Sequence, residues 1–306
     1  MQQSPPGDSQ FVVDLLTTLR QERFSPRGWW RFLLRSWEMS RATAQANPQL
    51  RRSWRRVTML MGVLAGGILI ATWIDEGSYA ALRLLPAFAF CVAWQQSDLF
   101  WHLGLNRQTQ SGALLQRVGV ANTLTELRGL GAGWLIGRLL GGLATSTSLA
   151  LSIYIVGIIS DICDGQVARW TGTQSKLGQI LDGETDFCLY LAITLVLLQN
   201  GILPLSLAII MLLRFCIPFL AALVSYFLFA HPLRFGSTLW GKAAGAVQCL
   251  YFFVLLAPPW LHGLAQTINL PLLVILLALL IGAPLAQIVA QRSHNTASRS
   301  RTKYRR

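Results

Sequence analysis

The run VTMLMGVLAGGILIATWI, residues 57–74, carries no charged side chain and nearly matches the thickness of a bilayer. About 20 apolar residues in a helix cross the hydrocarbon core. Comparable runs follow at roughly 79–101, 127–147, 149–163, 187–199, 203–230, 243–260 and 268–290, eight in all. Lipid offers no hydrogen-bond partner to a bare backbone, so runs of this kind must be helices. The expected fold class is therefore an all-α integral membrane protein. A composition of 53% hydrophobic and 13% charged residues overrides the two soluble domains that 306 residues would otherwise suggest. Residues 1–56 are polar and basic and precede the first apolar run, so no cleavable signal peptide is expected.

The net charge of +13 is concentrated at the ends. Residues 1–56 hold ten Arg and no Lys against four acids, and the tail 291–306 holds six basic residues and no acid. A basic surface could bind nucleic acid, but on a membrane chain the positive-inside rule and attraction to anionic lipid account for it better. Nucleic acid is therefore not an expected partner; membrane lipid is. Basic ends imply that both termini are cytoplasmic and that the number of spans is even. The loops alternate accordingly: the turn at Asp75–Ser78 is acidic, whereas Arg107, Arg117, Arg128, Arg169, Lys176, Arg234 and Lys242 fall in the alternate loops. The five Cys are scattered with no CxxC pair, and the four His are isolated, so neither disulfides nor a His-based metal site is expected.

Four segments follow: a basic amphipathic cytoplasmic or interfacial segment, 1–56; two accessory transmembrane helices, 57–104; a transmembrane core, 120–290; and a basic cytoplasmic tail, 291–306. Ser25-Pro26 starts a helix. In it Trp29, Trp30, Leu33, Leu34 and Trp37 form one apolar face, with Arg27, Arg31, Arg35 and Arg41 largely away from it. Such a helix suits the head-group plane. Asn47-Pro48 marks a break before Arg51–Arg56.

The stretch SDICDGQVARWTGTQSKLGQILDGETDF, residues 160–187, holds five of the thirteen acidic residues. Charges within spans are costly, and neighbouring carboxylates repel one another unless cations lie between them. Asp161 and Asp164 are i, i+3 at the end of one helix; Asp182 and Asp186 are i, i+4 at the start of the next. Two helices joined by the short loop Trp170–Leu177 direct four Asp into one cleft, with the small residues Gly165, Ala168 and Gly178 beside them. All-oxygen donors favour Mg²⁺ or Mn²⁺, and Mg²⁺ bridges carboxylates to substrate phosphates. A diphosphate-bearing substrate at the cytoplasmic surface fits this pattern. Solvated loop acids, or a Na⁺ or H⁺ coupling site in a transporter, are the competing readings of the same carboxylates.

Asp161-x2-Asp164-Gly165-x2-Ala168-Arg169-x8-Gly178-x3-Asp182-x3-Asp186 resembles the signature of the CDP-alcohol phosphotransferases in every fixed position. ANTLTELRG, residues 121–129, resembles the start of that family's first core helix, with Asn122, Leu124, Thr125 and Arg128 matching and Ala121 in place of a proline. The resemblance implies a six-helix core, to which this chain adds about two N-terminal spans. It implies transfer of a substituted phosphate from a CDP-linked donor to an alcohol, with release of CMP. It also implies two Mg²⁺ or Mn²⁺ ions on Asp161, Asp164, Asp182 and Asp186, with Asp186 as general base. Donor contacts are implied for Asn122, Thr125, Gly165, Ala168, Arg169 and Gly178. Family members are commonly dimers. A transporter leaves the spacing of Gly165, Ala168, Arg169 and Gly178 unexplained, and an inactive scaffold would be expected to have lost an Asp.

Ser-x3-Gly-Lys-x5-Gln, residues 237–248, resembles the matching region of phosphatidylglycerophosphate synthases, although Ala244 and Gly245 replace a common second Lys and Thr. Arg214, deep in an apolar run, and Lys242 are candidates for an acceptor's phosphate, and Arg138 is a weaker one. The expected reaction uses CDP-diacylglycerol and a phosphorylated alcohol such as glycerol 3-phosphate or an inositol phosphate. The alternatives within the family are a CDP-amino-alcohol or CDP-polyol donor, or a lipid acceptor as in cardiolipin synthesis.

Overall fold

A computed structural model describes residues 16–229, 239–280 and 282. The basic tail expected at 291–306 lies outside the described residues. After a short helical stretch at 16–21 come α1 (Pro26–Ala46), α2 (Pro48–Glu76), α3 (Ser78–Trp101), α4 (Val120–Leu140), α5 (Thr147–Trp170), α6 (Lys176–Gln199), α7 (Leu205–Phe229), α8 (Leu239–Leu255) and α9 (Pro259–Leu280). The chain is an all-α membrane protein; its only extended pairings among the described residues are two isolated bridges, Arg107 with Leu114 and Gln108 with Ser175.

Helices α2 to α9 stand where the eight apolar runs fall, except that residues 281 and 283–290 of the last run lie outside the described residues. Three of them, α2, α5 and α9, are long and apolar enough to cross a membrane by length and composition alone. Helices α4 and α6 also carry site and pairing charges, Glu126, Arg128 and Arg138 in the first and Asp182, Glu184 and Asp186 in the second. Local chemistry sets the boundaries. Ser25 accepts the N–H of Gly28 at 3.1 Å and Pro26 occupies the first helical position of α1. The break at Asn47-Pro48 is present, and α2 begins at Pro48, so Arg51–Arg56 form early turns of a continuous 29-residue helix.

Two compact units divide the described chain: residues 16–196 with 221–229, and residues 197–220 with 239–280 and 282. In the first, Val57, Met61 and Ala65 of α2 face Ala80, Leu84 and Phe88 of α3. Both stripes repeat every four residues, so the two helices zip together as a hairpin through Gly77, whose φ of 90° suits glycine. Lipid removes most of the hydrophobic drive for helix pairing, leaving close packing and hydrogen bonds. The packing of α4 on α3 shows both. A side chain at Gly137 would come within 2.9 Å of Phe88 Cβ. Gln95 Nε2 donates to the carbonyl of Glu126 and Gln96 Nε2 to its carboxylate, each at 2.7 Å. Ser53 Oγ accepts the Val118 N–H at 2.8 Å. Met59, Val63, Ile70, Leu82, Phe90 and Trp94 are exposed on the outer faces of the hairpin, as lipid-facing side chains are.

The apolar face expected on α1 divides in two. Trp29 packs against Phe24, Phe32 and Phe227, and Trp37 against Phe100 and Trp101. Trp30, Leu33 and Leu34 stay exposed, beside exposed Arg27, Arg31 and Arg35.

Candidate active site

The acidic stretch folds as two helices and a five-residue turn. Helix α5 ends in a Schellman arrangement: Thr173 N–H bonds to Ala168 O at 3.0 Å, Gly172 N–H bonds to Arg169 O at 3.3 Å, and Gly172 takes a φ of 62°. Ser175 then caps α6 by accepting the Gly178 N–H at 3.1 Å. The polar segment before α4 braces this turn. Thr109 N–H bonds to Gln174 O at 2.9 Å, and Gln108 Nε2 bonds to Gly172 O at 2.8 Å.

The turn sets Asp161 and Asp164 of α5 opposite Asp182 and Asp186 of α6. One carboxylate oxygen each from Asp161, Asp182 and Asp186 lies within 4.8 Å of the other two. Asp164 is turned inward: it accepts the Thr125 hydroxyl at 2.8 Å, and its side chain is 8% exposed. The other three remain 34–46% exposed and open outward.

At the centre lies Arg128, which positive-inside reasoning placed in a loop. It sits in the third turn of α4 with its side chain fully buried. Its guanidinium reaches Asp161 at 2.7 Å, Asp164 at 3.5 Å, Asp182 at 2.5 Å and Asp186 at 3.4 Å, and it also donates to Thr185 Oγ1. The signal for it was its match to the family's first-helix pattern, together with the need of four carboxylates for a countercharge. Four ionised Asp against one guanidinium leave a formal −3 (−4 + 1) at the site. Hard oxygen donors, a residual negative charge and a trio of converging, half-open carboxylates fit divalent cations of the Mg²⁺ or Mn²⁺ class.

Of the small residues, Gly178 is crowded by a neighbour, whereas Gly165 has room for an ordinary contact. A side chain at Gly178 would come within 2.9 Å of Asn122 Oδ1, and one at Gly165 would meet the Arg169 guanidinium at 3.4 Å. Asn122 is buried, Ala168 is half-buried and Arg169 is exposed. Glu184, two residues from Asp182, points elsewhere. Its charge acts on Asp98 of α3, which pairs with His102 at 3.2 Å.

Arg138 does not reach the Asp cluster. It pairs with Glu76 at the far end of α4 and donates to Ala144 O, so the weaker acceptor candidate is a structural cation. In the second unit Arg214 is half-buried, donates to Gln248 Oε1 at 2.8 Å and to Gly241 O at 3.3 Å, and lies over the Phe215 ring. It therefore gathers two fixed residues of the Ser-x3-Gly-Lys-x5-Gln pattern. A side chain at Gly245 would come within 2.8 Å of its guanidinium and displace it. Lys242 is exposed on α8.

A family model described as CDP-alcohol phosphatidyltransferase matches residues 118–283, more than half of the 306. Comparison with curated proteins and with solved structures gives no match.

Proposed function

The chain belongs to the CDP-alcohol phosphatidyltransferase family, and from that premise we propose that it moves a phosphatidyl group from CDP-diacylglycerol to a water-soluble phosphorylated alcohol. Glycerol 3-phosphate and inositol phosphates are the acceptor class, and CMP is the product released. The observation that carries the reading is the trio of carboxylates on two facing helices, held around a buried arginine. By charge, the site and both termini are assigned to the cytoplasmic side.

Asp161, Asp182 and Asp186 would hold the divalent cations, with Asp164 supporting them from behind. When bound, such ions neutralise the donor diphosphate and make CMP a better leaving group. The remaining work falls to side chains of this chain. Arg128 is a positioning residue that holds the carboxylates of α5 and α6 at one spacing. Thr125, whose hydroxyl is engaged by Asp164, acts on the donor through that carboxylate. Gly165 and Gly178 keep the space open for the cytidine, with Asn122, Ala168 and Arg169 along it. Asp186 accepts the proton of the attacking hydroxyl. Arg214 and Lys242 are assigned to the acceptor's phosphate, because a guanidinium and an ammonium recognise phosphate through charge-assisted hydrogen bonds.

The test is CMP release by purified protein with Mg²⁺ and CDP-diacylglycerol. Glycerol 3-phosphate, an inositol phosphate, glycerol, serine and inositol are offered at equal concentration. Phosphorylated acceptors should win. If an unphosphorylated alcohol or a lipid outcompetes them, the acceptor assignment fails and the family membership stands.

A further inference from the structure

At the elbow between α1 and α2, outside the segment matched by the family, three arginines converge on one cavity. Arg41 and Gln45 of α1, Arg51, Trp54 and Arg55 of α2, and Phe100 of α3 line a space of about 390 Å³. Arg51 and Arg55 are one helical turn apart and therefore share a face of α2. The aromatic wall is fixed: the Trp54 and Phe100 rings lie 4.8 Å apart, Trp37 packs on Phe100, and Trp54 Nε1 donates to Gln96 O.

Among the described residues, none of Arg41, Arg51 and Arg55 pairs with a carboxylate. The first turn of α2 contains no acid, and Asn47 gives it no side-chain cap. A helix N-terminus already carries partial positive charge, so placing cations there is unfavourable until an anion arrives. A cationic rim over an aromatic floor matches a phosphate joined to an apolar body. The outward face of α1 indicates the source of that phosphate. Trp30, Leu33 and Leu34 form an exposed stripe at i, i+3, i+4, flanked by Arg27, Arg31 and Arg35. A helix of that pattern lies in the head-group layer, which puts the cavity at the level of lipid phosphates.

We propose that the α1–α2 elbow is a binding site for the phosphate of an anionic phospholipid head group. The site is separate from the Asp cluster and does not depend on the catalytic reading.

The test uses the full chain in neutral detergent, titrated with dioctanoyl-phosphatidylglycerol, dioctanoyl-phosphatidylcholine and inorganic phosphate. Wild type is compared with the triple variant Arg41→Gln/Arg51→Gln/Arg55→Gln. The anionic lipid should bind wild type, and the zwitterionic lipid should bind much more weakly. The triple variant should lose about tenfold or more in affinity, since each charge-assisted contact contributes roughly that factor. Asp182→Asn should bind the lipid as wild type does, which separates this site from the Asp cluster. Unchanged affinity in a triple variant that melts like wild type overturns the proposal. If the triple variant does not fold, the three single substitutions are measured, and wild-type affinity in all of them overturns it equally. Inorganic phosphate binding as tightly as the anionic lipid overturns the lipid as source.

Discussion

Arg128 Nη2 lies 2.5 Å from Asp182 Oδ1, and the two partners differ in setting: the guanidinium is fully buried and the carboxylate is 44% exposed. The cation belongs to the protein interior, while the anions belong to both the interior and the site. Removing Arg128 therefore does more than break an ion pair, because it leaves four carboxylates facing one another.

Arg128→Met should destabilise the protein by about 3 kcal/mol. That is the lower end for breaking a buried pair, since Asp161 and Asp182 remain in contact with solvent. The loss should be larger in EDTA than in Mg²⁺, because a bound cation offsets part of the same repulsion. Melting temperatures of wild type and variant in the two buffers check this; an identical loss in both would separate Arg128 from the cation site.

Asp182→Asn keeps the shape of the side chain and removes one ligand charge. If that ligand contributes about 3 kcal/mol to the transition state, CMP release falls roughly a hundredfold. The protein should still melt cooperatively. Chelation of wild type should reproduce the loss, and Mg²⁺ or Mn²⁺ should restore activity. Full activity in EDTA would remove the metal from the reading.

Arg214→Ala and Lys242→Ala should each raise the acceptor KM, or lower its kcat/KM, by about tenfold, while leaving the KM for CDP-diacylglycerol nearly unchanged. Gly245→Ala should act in the same direction, because the new methyl group meets the Arg214 guanidinium. A defect confined to the donor in all three variants would place the acceptor phosphate elsewhere.

His102 follows the last turn of α3, where a helix C-terminus favours a cation. Burial lowers its proton affinity, but the hydrogen bond and charge of Asp98 on its own helix and the charge of Glu184 on α6 outweigh it, so its pKa is raised above 6.5. A raised folded-state pKa gives stability that is fully present below the unfolded value and is lost as pH rises through the folded value. The gap in melting temperature between wild type and His102→Gln should therefore be widest in mild acid and should close toward alkaline pH. The effect should be at most about 1 kcal/mol. A gap that widens with pH would contradict this pairing.

The carboxylate spacing was readable in the sequence because i, i+3 and i, i+4 pairs share a face in any helix. The capping signals Ser25-Pro26 and Asn47-Pro48 are local and were readable for the same reason. Arg128 was readable only as a match to the first-helix pattern and as a loop charge in the positive-inside alternation, because only tertiary packing brings four carboxylates to it. The split of the α1 aromatics was hidden too. A helical wheel places Trp29, Trp30 and Trp37 on one broad face, and the partners that draw Trp29 and Trp37 inward, Phe227 and Phe100, lie far along the chain. Arg138 and Arg214 looked alike as arginines in apolar runs. Their difference depends on Glu76 in one case and on Gln248 and Gly241 in the other.

The hydrogen bonds from Ser53, Gln95 and Gln96 into the start of α4, with the Arg138–Glu76 pair at its far end, have a consequence for how this chain can be divided. Truncation just before residue 118 would remove both accessory helices at once. It would strip the Glu126 carboxylate of its amide partner, strand Arg138 without its acid and uncover the glycine-lined flank of α4. The segment that defines the family is thus not a free-standing module in this protein, and its first helix is completed by residues that the family pattern does not contain.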